Sequence, residues 1–257
     1  TAMTEKFPIP FDYQHATRHL SAGDERLARL ISETLPFQLA EEAGQPPYEA
    51  LLEAIVYQSI SGKAAATIFA RVKALGSEGC CPTPREVLRL PDKTLREAGL
   101  SGAKAAAMKD LAQKTIEGIV PSLEQAHAMS DAELVERLDS VRGVGPWTVE
   151  MFLIFNLGRP DVLPIHDYGV QKGFAITYGK RKIPKPKDLL KFGERWRPFR
   201  TVASWFMWRA VERAGKDARK IKKAPPKSRK KLPVVKIAKK RIAPQIARKR
   251  AAKKRSK

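Results

Sequence analysis

The chain has 257 residues, 43% of them hydrophobic, and a formal net charge of +22, a size that suits one large domain or two small ones with a real core. Its two cysteines, Cys80 and Cys81, are adjacent, which excludes a disulfide framework and the ligand spacing of a zinc site or a four-cysteine iron–sulfur cluster, and favours a reducing compartment. There is no secretory signal pattern and no apolar run long enough to span a membrane.

Residues 1–215 read as almost entirely helical, because apolar residues recur at three- and four-residue spacing and strict alternation is scarce. Leu51, Leu52, Ile55 and Val56 mark one face of a helix starting near Pro47. A break follows at Ser59-Ile60-Ser61-Gly62, and a second helix carries Ala65, Ile68, Phe69, Val72 and Leu75 as far as Gly76. Thr83–Glu86 and Ser130–Glu133 have capping-box spacing, which predicts helix starts at both. Ser101–Lys104 opens another helix, running to about Gly118. The helix led by Ser130 ends near Leu138, and Pro146 then sits where the first position of a new helix belongs. Val149, Phe152, Leu153 and Phe155 carry that helix to Leu157, and it closes near Gly158-Arg159-Pro160-Asp161. Asp167 precedes a further helical run with Val170, Phe174 and Ile176, and Arg197 to about Arg213 gives one long aromatic-rich helix.

The composition changes at Lys216. Residues 216–257 hold 20 Lys/Arg and one acid, so +19 of the +22 lies there and +3 remains for residues 1–215. With few large apolar residues this tail cannot offset its ordering entropy, and it is predicted to be disordered. It would attract polyanions on its own, either raising non-specific affinity or serving as a nuclear targeting or solvated appendage, so bulk charge says little about the helical part.

The densest motif is Val141-Arg142-Gly143-Val144-Gly145 between two helices. Glycines let a backbone approach a ligand closely, and exposed amides beside a helix N-terminus make an anion site. Such a helix–hairpin–helix grips phosphate without reading bases. A bare Gly-x-Gly is more often only a tight turn, and Asp167 taken alone is more often an N-cap than a reactive carboxylate; the two roles can coexist.

Taken together, Gly143–Thr148, Asp161–Tyr168, Tyr48–Ala65 and Gly99–Lys104 resemble the helix–hairpin–helix (HhH-GPD) DNA glycosylases, in the branch of the DNA-3-methyladenine glycosylases of the AlkA/Mag type. The resemblance runs in order over roughly residues 14–213. It implies an all-α fold of two helical subdomains with a central cleft, in a compact version without an added β-domain. One subdomain is 46–164; the other joins 1–45 to 165–215; the basic tail 216–257 follows.

The resemblance also implies the chemistry. Such enzymes flip a damaged nucleotide out of the stack and cut its N-glycosidic bond. Asp167 would be the catalytic carboxylate that stabilises the cationic sugar, with Asp161 as its rival. Trp147 stands where strand-cleaving members carry a lysine nucleophile, so no Schiff base can form and a monofunctional enzyme is expected. Of the four tryptophans, Trp147 and Trp208 would face the flipped base, with Met151 completing the wall or packing in the core. Gly143, Val144, Gly145 and Thr148 would hold DNA at the hairpin. Gln58, Ser59, Ile60 and Ser61 form either a wedge entering the stack, at Ser59 or Ile60, or a plain interhelical turn. Lys63 and Lys104 are candidate phosphate contacts or simply solvated lysines. The expected substrate is duplex DNA carrying alkylated purines, chiefly 3-methyladenine, acted on by a monomer away from membranes. That implies the bacterial nucleoid or cytoplasm, or the nucleus in a eukaryote. No metal or organic cofactor is expected, though a monovalent cation could sit at the hairpin carbonyls. Another lesion specificity, or a hairpin module without catalysis, are the alternatives.

Overall fold

The computed structural model describes residues 11–34, 36–39 and 44–215, and every regular element among them is helical. The expected disordered tail, 216–257, lies outside the described residues.

The helices enclose two cores. The first gathers α3 (Pro47–Tyr57), α4 (Gly62–Lys73), α5 (Pro84–Arg89), α6 (Asp92–Glu97), α7 (Gly102–Ile116), α8 (Leu123–Ala128), α9 (Asp131–Leu138) and α10 (Pro146–Met151) around Leu51, Leu52, Ile55, Leu95, Met108, Leu111 and Leu134. The second is built from α1 (Tyr13–Gly23), α2 (Glu25–Ser32), α11 (Tyr168–Thr177), α12 (Pro186–Gly193) and α13 (Arg200–Ala214), around Leu27, Phe174, Trp196, Phe206 and Met207. The chain crosses from one core to the other between Val162 and Leu163, while Trp208 packs against both.

Local chemistry starts these helices. The side chains of Ser61, Ser101 and Asp167 each accept an N–H from the first turn of α4, α7 and α11. Full capping boxes stand at Thr83 and Ser130, as their spacing predicts, and a third stands at Ser122.

Two helices differ from the pattern-based expectation. The last begins at Arg200, not Arg197: the residue before Pro198 is pushed to extended backbone, and Arg197 has ψ 144°. The helix after Pro146 keeps α geometry only to Met151, and Phe152–Asn156 is a π-type turn. Such turns concentrate at functional sites. α11 and α13 meet without intervening side chains at Gly173, where an added Cβ would lie 1.9 Å from the Met207 carbonyl oxygen. That close approach fixes where Trp208, the next residue along α13, can reach.

Candidate active site

The hairpin is nailed down by its apolar residues and braced from two sides. Val141 and Val144 are buried, Arg142 and Gly143 are exposed, and Gly143 has φ +79°, the left-handed region that glycine occupies without steric cost. From α7, Asp110 accepts the Arg142 N–H (2.7 Å) and the Lys114 ammonium (2.9 Å), and Lys114 also donates to the Ser140 carbonyl. Burial pushes the Asp110 carboxyl up, but the Arg142 N–H and the Lys114 ammonium outweigh it and hold it below its usual range. From the α3–α4 loop, Gln58 Nε2 donates to the Gly143 carbonyl (2.8 Å) and lies 3.5 Å from the Thr148 hydroxyl.

These contacts sort the expected DNA-facing residues. The Thr148 side chain is buried, so it faces Gln58 and not the outside. Lys104, a candidate phosphate contact or solvated lysine, donates from Nζ to the Val56 carbonyl (2.7 Å), which caps the end of α3. Lys63 is exposed, and Ser61 caps α4. Ser59 has φ +60°, unusual for a non-glycine residue, and beside it Ile60 is 39% exposed. Strained backbone presenting an apolar side chain fits a wedge better than a plain turn.

Asp167 sits at the start of α11. Its Oδ1 accepts the Val170 N–H (2.8 Å) and the Trp208 indole N–H (2.8 Å), and Oδ2 accepts the Trp147 indole N–H (2.8 Å). It is therefore an N-cap and also the meeting point of two indoles. All three donors are neutral, so they orient the carboxylate without cancelling its charge. Gly169 makes room for this: a Cβ there would lie 2.7 Å from the Trp208 ring.

Asp161 is differently occupied. Its carboxylate pairs with Arg200 Nε (2.7 Å) and Arg197 Nη1 (2.5 Å), and Arg200 also holds its main-chain carbonyl (2.8 Å). That bidentate arginine clamp makes it a strut.

The remaining site residues line α10 and α13. Trp147 is 45% exposed, Trp208 stacks on Phe155 with ring centroids 5.6 Å apart, and Met151 is half-buried against the first core. Trp196 and Trp205 are core residues. Sequence reading did not single out Glu150, Phe155 or Gly169. Glu150 lies at helical spacing from Trp147, and that i, i+3 relation was its available signal. Burial, then the Asp167 charge, pushes the Glu150 carboxyl up to about 7, and its Oε2 is buried without a hydrogen-bond partner. Among the described residues no cluster of His, Cys, Asp or Glu could hold a metal ion.

Residues 52–198 match the family described as HhH-GPD superfamily base excision DNA repair protein. The chain is 38% identical over 213 residues to DNA-3-methyladenine glycosylase 1 of Schizosaccharomyces pombe, covering 82% of this chain and 92% of that protein. Among solved structures it is similar to the S. pombe 3-methyladenine DNA glycosylase in complex with abasic DNA, with TM-score 0.71 and 37% identity over 77% of this chain and 97% of that one. It is also similar to a DNA-3-methyladenine glycosidase from Bacillus halodurans, with TM-score 0.70 and 33% identity over 79% and 91% of the two chains.

Proposed function

This chain belongs to the HhH-GPD superfamily of base excision DNA repair proteins, and from that premise we propose that it is a monofunctional glycosylase hydrolysing the N-glycosidic bond of alkylated purines, chiefly 3-methyladenine, in duplex DNA. The observation that carries this reading is the Asp167 carboxylate, held by two indole N–H groups and one main-chain N–H with no cation beside it in its hydrogen-bond set.

The reaction follows from the charges. An alkylated purine is already cationic and leaves readily, and the strain of the step is the positive charge left on the sugar. A carboxylate whose charge is not cancelled stabilises that cation and orients the attacking water. Trp147 and Trp208 offer electron-rich faces to a flipped cationic base, with Met151 and Phe155 behind them. Trp147 cannot form a Schiff base, so the abasic product is released without strand cleavage.

The hairpin binds phosphate through the main-chain N–H groups of Gly143 and Gly145, the Val144 N–H being taken by the Val141 carbonyl within the turn (3.0 Å), and Gln58 holds that backbone in place. Ile60, exposed and apolar, is the wedge that fills the hole left by the flipped nucleotide, with Ser59 setting its direction. Two subdomains, 46–164 and 1–45 with 165–215, close on the DNA as a monomer. The reaction uses no cofactor, and a monovalent cation at the hairpin would share the Gly143 carbonyl with Gln58. The compartment follows the substrate, so the protein works at the nucleoid or in the nucleus.

A base-release assay on DNA with defined alkylated purines tests the whole reading. Asp167→Asn is expected to abolish release of 3-methyladenine while DNA binding persists. An unimpaired Asp167→Asn enzyme overturns the mechanism, and no base release from any alkylated DNA overturns the function.

A further inference from the structure

Glu150 is a second carboxyl at the site, with no part in the hydrolysis of an already cationic base. It lies on α10 between Trp147 and Met151, at i+3 from the indole that donates to Asp167. On a helix, positions 147, 150 and 151 share one face, the face that here turns toward Asp167. Glu150 is half-buried, and its Oε2 is shut off from solvent with no donor to satisfy it. A buried carboxylate in that state would be costly, whereas a carboxylic acid is tolerated. The two groups thus differ in kind: the Asp167 carboxylate accepts three N–H donors, and the buried Glu150 Oε2 accepts none.

From this geometry we propose that Glu150 is a proton donor to the departing base, extending the reaction from cationic alkylpurines to neutral purine lesions. The proposal rests on the glycosylase reading above. A neutral base leaves poorly as an anion and needs a proton. As the electron pair of the C1′–N bond moves onto the base, Glu150 gives its carboxyl proton to a ring nitrogen, and the base departs neutral. Water then adds to C1′ and loses a proton to solvent, and Glu150 regains one from solvent. No other reactant is required.

The electrostatics agree. Burial and the charge of Asp167 keep the proton on Glu150 up to about pH 7, and no lysine or arginine offsets them. The charged residues of α9, which packs against α10 (Asp131, Glu133, Glu136 and Arg137), and those of α3 beneath the π-type turn (Glu49 and Glu53) are not among the charges that act on it.

The test compares the full-length protein and Glu150→Gln in single-turnover excision of a cationic lesion, 7-methylguanine, and a neutral one, hypoxanthine, between pH 5.5 and 8.5. Wild-type excision of the neutral lesion is expected to fall above about pH 7. The neutral-to-cationic rate ratio at pH 6 should drop at least tenfold in Glu150→Gln, and the variant's ratio should lose its pH dependence. An unchanged ratio in the variant, or a wild type that releases no hypoxanthine, overturns the proposal. Rescue by Glu150→Asp of part of the ratio supports a proton donor over a packing role, and a Glu150→Asp ratio no better than that of Glu150→Gln counts against it. Failure of Asp167→Asn to lose 7-methylguanine release would instead overturn the underlying reading, so the two failures are distinguishable.

Discussion

Asp161 and Asp167 stand at the two ends of a short segment that crosses between the cores, and they are held in opposite ways. Asp161 faces two arginines, whose positive charges neutralise it and whose forked geometry pins it. Asp167 faces two indoles and one main-chain N–H, which fix its direction yet add no positive charge. A carboxylate that must stabilise a passing cation cannot already be paired with a permanent one. On the proposed mechanism the arginine-bound aspartate serves stability, and the indole-bound one is left able to act.

Substitutions at the two positions should separate these roles. Asp167→Asn is expected to reduce base release by at least about a hundredfold, the range seen when a positioned charge-stabilising group is removed, whereas Asp161→Asn should leave single-turnover excision within about threefold. Comparable losses at both positions would break the distinction. Trp208→Phe keeps the ring but removes one N–H from the carboxylate, a charge-assisted bond of about 1.5–3 kcal/mol, so excision should fall about tenfold or more while the protein stays folded. Gly169→Ala pushes the same indole aside and should act in the same direction. The Asp161→Asn protein should instead be less stable by about 2 kcal/mol, between the values for exposed and buried pairs because Arg197 is half exposed; urea unfolding measures it.

The smallest expected effect concerns Glu150 and pH. Its carboxyl is raised in the folded protein above its unfolded value. The folded state then binds the extra proton, so stability falls as pH rises from about 4.5 to about 7 and is level beyond. Glu150→Gln removes that penalty. It should match wild type at pH 4 and exceed it by about 1–2 kcal/mol at pH 8, after discounting for the side chain's contact with solvent. A stability difference independent of pH would show that the Glu150 carboxyl titrates alike in the folded and unfolded protein and is not raised by the fold.

The sequence made the hairpin legible because Gly143, Gly145 and Pro146 act locally: each is required by the backbone at its own position. The capping boxes at Thr83 and Ser130 are local for the same reason. The braces were not legible. Gln58 meets Gly143 across 85 positions, and Lys104 meets Val56 across 48. Neither contact has a local signal, since each joins a side chain to a carbonyl on a different helix or loop. The start of α13 was misplaced because an aromatic run continues past Pro198 in pattern but not in backbone geometry. Glu150 stayed hidden because a glutamate beside a helical apolar stripe ordinarily points to water.

The segment that links the cores has one more consequence. Asp161, just before the crossing, is riveted forward to Arg200 on α13, and Asp167, just after it, is riveted back to Trp147 on α10. The two halves are thus stapled by the same few side chains to which the proposed reaction is assigned. Anything that lets the halves breathe apart dismantles the reactive geometry before either core melts. Inactivation by heat should therefore precede loss of helix signal.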